Sequence, residues 1–187
     1  MNKVLHIMIT LTVIGVIAGG VLALVNIWAE PRIAANQKLE TELAIFLVQK
    51  EGKSYDQIKI NKGELYKVYD EQKNPIGYSL VYEGNGFQGK IRVMIGLQTD
   101  LNKITSIEIL EQTETPGLGT KVTDPPYKNQ YNGLVTSPEI KWVKGKPPAK
   151  PNEIQAITGA TISSKSVVAI VNEGISELRR LKNEGKI

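Results

Sequence analysis

Between Val4 and Ala29 the chain carries no charged residue, and apolar side chains point to every side of a helix drawn through this run. Its length as a helix is about 39 Å at about 1.5 Å per residue. The hydrocarbon core of a bilayer needs about 30 Å, so the pattern predicts one membrane-spanning helix with length to spare for tilt. Trp28 falls where an interfacial aromatic belongs, and Glu30, Pro31 and Arg32 end the apolar run. A cleaved signal peptide is the competing reading, with Ala18 and Ala23 as small residues near a cleavage site. The run is long for such a segment, so residues 1–29 are expected to stay as a transmembrane anchor.

Beyond the anchor the period changes twice. Arg32 to Lys50 places Ile33, Leu39, Leu43, Ile45, Phe46 and Leu47 as a helix leaving the membrane, and residues 30–62 are expected to be a connecting helical segment. Glu64–Asp70, Ile76–Glu83, Lys90–Leu97 and Ile104–Glu111 then alternate in polarity between Gly, Asn, Asp or Pro and predict strands, two of them joined by a turn at Gly84-Asn85-Gly86. Residues 113–152 are rich in Pro and Gly, irregular, and long for a connection, which marks a functional loop. From Ser163 to about Asn183, Val167, Val168, Val171, Ile175, Leu178 and Leu181 recur at helical spacing opposite Asn172, Glu173, Arg179 and Lys182. The expected architecture is α+β: an antiparallel sheet packed by an early and a late helix, over residues 63–187, preceded by one N-terminal transmembrane helix.

Composition removes whole classes of chemistry. The 187 residues include no cysteine and one histidine, so zinc sites, iron–sulfur ligation, thiol catalysis and disulfides lack their groups. His6 lies inside the apolar run and reads as a polar residue near one interface. The net charge of +4 is mild and dispersed, which argues against nucleic acid as a partner. Lys3 and the amino terminus precede the span while Arg32 and Lys38 follow it beside Glu30, so charge alone does not orient it. Gly15 and Gly19 have the spacing of a helix-packing motif, or are the small residues common in such spans. The span holds no acidic residue, so the chain by itself is not expected to form an ion path.

Two short segments carry candidate chemistry. Thr158-Gly159-Ala160-Thr161-Ile162-Ser163-Ser164 stands directly before the last helix, where unsatisfied backbone N–H groups and the helix dipole favour a phosphate. Gly159 and Ala160 let a ligand approach the backbone, and Thr161, Ser163 and Ser164 bring hydroxyls. On local physics a plain helix cap by Ser163 or Ser164 after a Thr158-Gly159 turn accounts for the same residues. Glu114-Thr115-Pro116-Gly117-Leu118-Gly119-Thr120 suits a type II turn with Pro116 and Gly117 at its centre, and glycines there let a planar ring lie against the main chain. Neither segment has the spacing of a Walker loop or a Rossmann fingerprint. Glu114 and Lys165 are the nearest charged residues in sequence, each more commonly solvated, while Tyr127, Tyr131 and Trp142 read as packing side chains.

Taken together, TGAT before an amphipathic helix, ETPGLG about forty residues earlier and a single N-terminal anchor resemble the FMN-binding domain family. Within it, the resemblance is to the G subunits of Rnf electron-transport complexes and the related C subunits of sodium-translocating NADH:quinone reductases. It implies FMN joined through its phosphate to the last threonine of the motif, here Thr161, with Thr158, Gly159, Ala160, Ser163 and Ser164 around it. It also implies Glu114, Thr115, Pro116, Gly117, Leu118 and Gly119 beside the flavin. Further implications are a separate flavin transferase that attaches the FMN, membrane and peripheral partner subunits, and electron relay between ferredoxin and NAD coupled to ion movement. The flavin domain is then expected on the extracytoplasmic side. Where family members often carry an acidic residue three positions before the motif, this chain has Gln155. The other readings are the quinone-reducing complex and a cofactor-free, membrane-tethered binding or assembly module.

Overall fold

The structure, a computed structural model, describes residues 2–187 and divides into two compact units, one ending at Glu40 and one running from Thr41 to Ile187. The first is the greater part of helix α1 (Lys3–Val48). Apolar side chains from Val4 to Trp28 are exposed on all its sides, which is the pattern of a lipid-facing span and not of a core helix. It is long and apolar enough to cross a membrane. The helix does not stop where the apolar run stops: Pro31 sits inside it, and Arg32 stacks over the Trp28 ring at 4.0 Å from one turn further on.

The second unit is built on a five-stranded antiparallel meander, β1 (Ser54–Ile58), β2 (Glu64–Tyr69), β3 (Pro75–Asn85), β4 (Lys90–Gln98) and β5 (Ile104–Gln112), in spatial order β1-β2-β3-β4-β5. Both faces of the central strands are covered, so β3 and β4 read as nearly continuous apolar runs. On one face Ala44, Ile45 and Val48, from the last turns of α1, pack with Tyr66, Val68, Val81 and Met94. The other face, with Leu80, Tyr82, Val93 and Ile95, meets the late helix α3 (Thr161–Asn183) through Val167, Val171, Ile175 and Leu178. Close approach there depends on Gly174, where a Cβ would stand 2.9 Å from Leu80 Cδ2 and 3.1 Å from Ile95 Cδ1.

Several expectations are corrected. Residues 30–62 are helical only to Val48 and then form β1, a polar edge strand whose side chains give no alternating apolar signal. The hairpin turn is not Gly84-Asn85-Gly86: Gly84 and Asn85 pair with Ile91 and Lys90, and the chain reverses over residues 86–89, closed by the Gly86 N–H to the Gly89 carbonyl at 2.6 Å. Gly84 serves packing instead, since a Cβ there would come 2.6 Å from Ile170 Cγ1. The last helix begins at Thr161 and not at Ser163. The segment 113–152 is more ordered than its composition suggests. It contains 3₁₀ turns at Gly119–Thr123 and Asn129–Tyr131, the short helix α2 (Pro125–Lys128) and β6 (Lys141–Val143), which pairs in parallel with β7 (Glu153–Gln155). Buried Val122, Tyr127, Tyr131, Leu134 and Ile140 hold it to the core.

Candidate functional site

Helix α3 starts from a tight turn. Ala160 N–H bonds the Ile157 carbonyl at 3.0 Å and Gly159 has φ +85°, a conformation that suits glycine. Ala160 occupies the cap position and offers no side-chain acceptor, so the first N–H groups of the helix are left without a capping side chain. Neither serine is the cap. Ser164 is fully buried, and its Oγ accepts the Ile157 N–H and donates to the Ala160 carbonyl, both at 3.0 Å, which ties the turn back onto the helix. Ser163 points its Oγ to Glu114 Oε2. Thr161, the first helical residue, is half-buried and has no hydrogen bond from its hydroxyl among the described residues.

The second segment folds into the turn its sequence suggests. Leu118 N–H bonds the Thr115 carbonyl at 3.2 Å across Pro116-Gly117, and Gly117 has φ +73°. Thr120 closes it further, its N–H reaching the Thr115 carbonyl at 3.2 Å and its Oγ1 accepting the Gly117 N–H at 3.0 Å. Glu114 is buried, not solvated: it accepts the N–H groups of Phe87 at 2.7 Å and Gln88 at 3.2 Å.

These two segments meet at an open cleft of about 480 Å³ lined by Thr115, Leu118 and Gly119 from one and by Gly159 to Ser163 from the other, with Phe87 and Lys144 completing the walls. Of the sequence-derived site residues, Thr158, Pro116, Gly117, Ser164 and Glu114 do not line it. Phe87 (62% exposed), Leu118 (46%) and Ile162 (53%) are the large exposed hydrophobics that follow Leu47 among the described residues, and all three stand in this cleft. Such a concentration is the pattern expected of a ligand-binding surface. Phe87 escaped the sequence reading although an aromatic at the tip of a Gly-flanked hairpin turn, where polar residues belong, is a legible signal. Among the described residues Lys144 is the one ionisable side chain lining the cleft, and its basic surroundings in sequence hide it. Lys165 faces elsewhere, beside Trp142 and Asn172. Tyr127 and Tyr131 are packed in the core.

Comparison with known proteins gives these features a context. Residues 86–176 match the FMN-binding domain family. The chain is 38% identical over 121 residues to the G subunit of the Na(+)-translocating ferredoxin:NAD(+) oxidoreductase complex of Acetobacterium woodii, covering 63% of this chain and 58% of that one. It is 24% identical over 182 residues to the G subunit of the ion-translocating oxidoreductase complex of Methanosarcina acetivorans, covering 93% and 94% of the two chains. The C subunit of the Na(+)-translocating NADH-quinone reductase of Vibrio anguillarum is 36% identical over 90 residues, 45% of this chain and 35% of that one. Among solved structures, NqrC of Shewanella oneidensis has the same fold, with a TM-score of 0.58 at 20% identity over 68% of this chain and 67% of its own.

Proposed function

From the match of residues 86–176 to the FMN-binding domain family, we propose a membrane-anchored flavoprotein subunit that carries FMN esterified through its phosphate to Thr161 and relays electrons within an ion-translocating ferredoxin/NAD oxidoreductase complex. The observation that carries this reading is the placement of Thr161. Its hydroxyl stands at the first position of α3, in a cleft whose exposed apolar walls are Phe87, Leu118 and Ile162.

The donor set suits the group. The uncapped N–H groups of the first helical turn and the partial positive charge of the helix start favour a phosphoester oxygen, and Lys144 adds a cation in the same cleft. Phe87, Leu118 and Ile162 offer apolar surface to a planar ring and exclude water from it. FMN, when bound, supplies the redox chemistry, and the chain supplies its position, dielectric and hydrogen bonds. A covalent link keeps the cofactor in place whatever the affinity of each redox state. In this reading the flavin domain faces away from the cytoplasm, a flavin transferase performs the attachment, and the remaining subunits of the complex are the partners.

The match to the Acetobacterium woodii G subunit, which is named for a ferredoxin:NAD(+) oxidoreductase complex, is 38% identical over 121 residues, while that to the Vibrio anguillarum C subunit is 36% identical over 90. That difference supports the ferredoxin/NAD complex over the quinone-reducing one, which stands as the second reading on the 36% identity of its shorter match. The test is to express the full chain with a flavin transferase, denature it, and look for flavin fluorescence migrating with the polypeptide. The peptide containing Thr158 to Lys165 is expected to carry the mass of FMN less one water. Thr161→Ala removes one partly exposed hydroxyl, so it is expected to abolish labelling and leave the fold intact. Covalent flavin on Thr161→Ala would place the attachment elsewhere, and a colourless wild-type chain would favour the cofactor-free module.

A further inference from the structure

Glu114 is 4% exposed, and both of its carboxylate oxygens are turned to donors of the protein itself. Oε1 accepts the main-chain N–H groups of Phe87 at 2.7 Å and Gln88 at 3.2 Å, and Oε2 accepts the Ser163 hydroxyl at 2.5 Å. Its own N–H is held by Gln112 Oε1 at 2.7 Å. The space around the carboxylate is closed by two glycines. A Cβ on Gly86 would run into Oε1, and one on Gly119 would stand 2.8 Å from Oε2 and 2.8 Å from Ser163 Oγ. One buried side chain thereby joins the hairpin tip that carries Phe87, the turn that carries Leu118 and Gly119, and the first turn of α3 that carries Thr161.

We propose that Glu114 is a positioning residue for this cleft and not a ligand or tuner of the flavin. By fixing Ser163 it fixes Thr161 two residues earlier, and by the same carboxylate it fixes Phe87, so the acceptor hydroxyl and the aromatic wall hold one mutual geometry. Hydrogen bonds to a buried carboxylate are among the stronger ones, and all three of these cross between segments far apart in sequence. This inference rests on Thr161 being the flavin acceptor. It assigns to the acidic residue of ETPGLG a role that its place in the sequence beside the ring does not suggest.

The test uses the full chain expressed with a flavin transferase, in wild-type form and as Ser163→Ala, Glu114→Ala and Glu114→Gln. Three quantities are read: the rate of covalent flavin incorporation, the fluorescence anisotropy of the attached flavin, and its midpoint potential. Ser163→Ala removes one strand of the clasp and is expected to slow incorporation about tenfold, with lower anisotropy. Glu114→Ala removes the whole clasp and is expected to be slower still. Glu114→Gln is the rescue: its carbonyl oxygen takes the Phe87 and Gln88 N–H groups, its amide donates to Ser163 Oγ, and rate, anisotropy and potential return to wild-type values. A Glu114→Gln chain with a shifted potential beside a silent Ser163→Ala would show that the carboxylate tunes the flavin by its charge, and would overturn the proposal. Should Glu114→Ala fail to fold, the other two variants decide the matter. A wild-type chain without flavin overturns this inference together with the reading of Thr161, whereas a labelled wild type with a silent Ser163→Ala overturns this inference alone.

Discussion

The Tyr127 hydroxyl donates to the main-chain carbonyl of Ser164, 3.0 Å away, and the Tyr131 hydroxyl lies 3.0 Å from that of Tyr127. The pair pins α2 and the 3₁₀ turn after it to the start of α3, three residues beyond the proposed flavin acceptor. Tyr131 is fully buried, and Tyr127 is its hydroxyl's partner. Tyr127→Phe therefore strands a buried hydroxyl and is expected to cost about 1–3 kcal/mol, whereas Tyr131→Phe leaves Tyr127 bonded to Ser164 and is expected to cost about 1 kcal/mol or less. Denaturant unfolding of the detergent-solubilised chain gives the order. A costlier Tyr131→Phe would mean that the pair is not organised around Ser164.

The same two hydroxyls predict an alkaline limit. Burial pushes both phenols above their ordinary value of 10.0. Above about pH 10 the unfolded chain loses these protons while the folded chain retains them, so the folded state binds more protons and stability falls as pH rises. Below that value the contribution is fully present. The melting temperature of the wild type is expected to drop between about pH 9 and 11, and the Tyr127→Phe/Tyr131→Phe double variant to drop less. Equal slopes in the two proteins would contradict it.

A second polar linkage holds the other face of the sheet. Arg92 Nη2 donates to Thr41 Oγ1 at 3.1 Å and to Glu64 Oε1 at 3.0 Å, while Glu64 Oε2 accepts the Tyr66 hydroxyl at 2.6 Å. The Arg92 side chain is only 14% exposed, and its Nη1 is buried without a hydrogen-bond partner among the described residues. Glu64→Ala leaves a largely buried guanidinium with no carboxylate. Because Glu64 itself is partly exposed, the expected loss is about 1–3 kcal/mol, less than for a fully buried pair. Adding Arg92→Met is expected to recover part of it, since the uncompensated charge goes too. The exposed Lys90–Glu83 pair is the contrast, with Glu83→Ala expected within about 0.5 kcal/mol of wild type. Unfolding curves of these variants check the ranking.

Much of this architecture is legible in the pattern of side chains, and what is not has physical reasons. Val167, Val171, Ile175 and Leu178 announce α3 because one face of that helix meets the sheet and the other meets water. The strands β2 to β5 announce themselves by short apolar runs between breakers. Strand β1 does not, because an edge strand with polar side chains has little to bury. Pro31 reads as a stop, yet the helix continues through it to side chains that pack on the sheet. Gly84 reads as a turn residue and is a contact residue for Ile170, a distinction that depends on a helix nearly ninety positions away. At the candidate site the two motifs are legible in sequence and their meeting is not. Glu114 looks like a surface carboxylate until the donors of Phe87, Gln88 and Ser163 are brought to it.

The two glycines of the Pro-Gly turn are expected to behave differently, for reasons the sequence alone does not separate. Gly117 has φ +73° and open space where a Cβ would go, so Gly117→Ala meets only backbone strain, about 1 kcal/mol. Gly119 is buried. A Cβ there would stand 2.7 Å from Glu114 Cβ and 2.8 Å from both Glu114 Oε2 and Ser163 Oγ. Gly119→Ala must push those atoms apart, and overpacking of this kind costs about 1–3 kcal/mol. The larger difference is expected in the cleft: Gly119→Ala displaces Ser163 and so moves Thr161 and Leu118, while Gly117→Ala leaves the lining side chains in place. With the flavin attached, visible absorbance and fluorescence anisotropy are expected to change in Gly119→Ala and to stay near wild type in Gly117→Ala. The reverse order would mean that the Pro116-Gly117 backbone, and not the packing of Gly119 against Glu114, sets the environment of the ring.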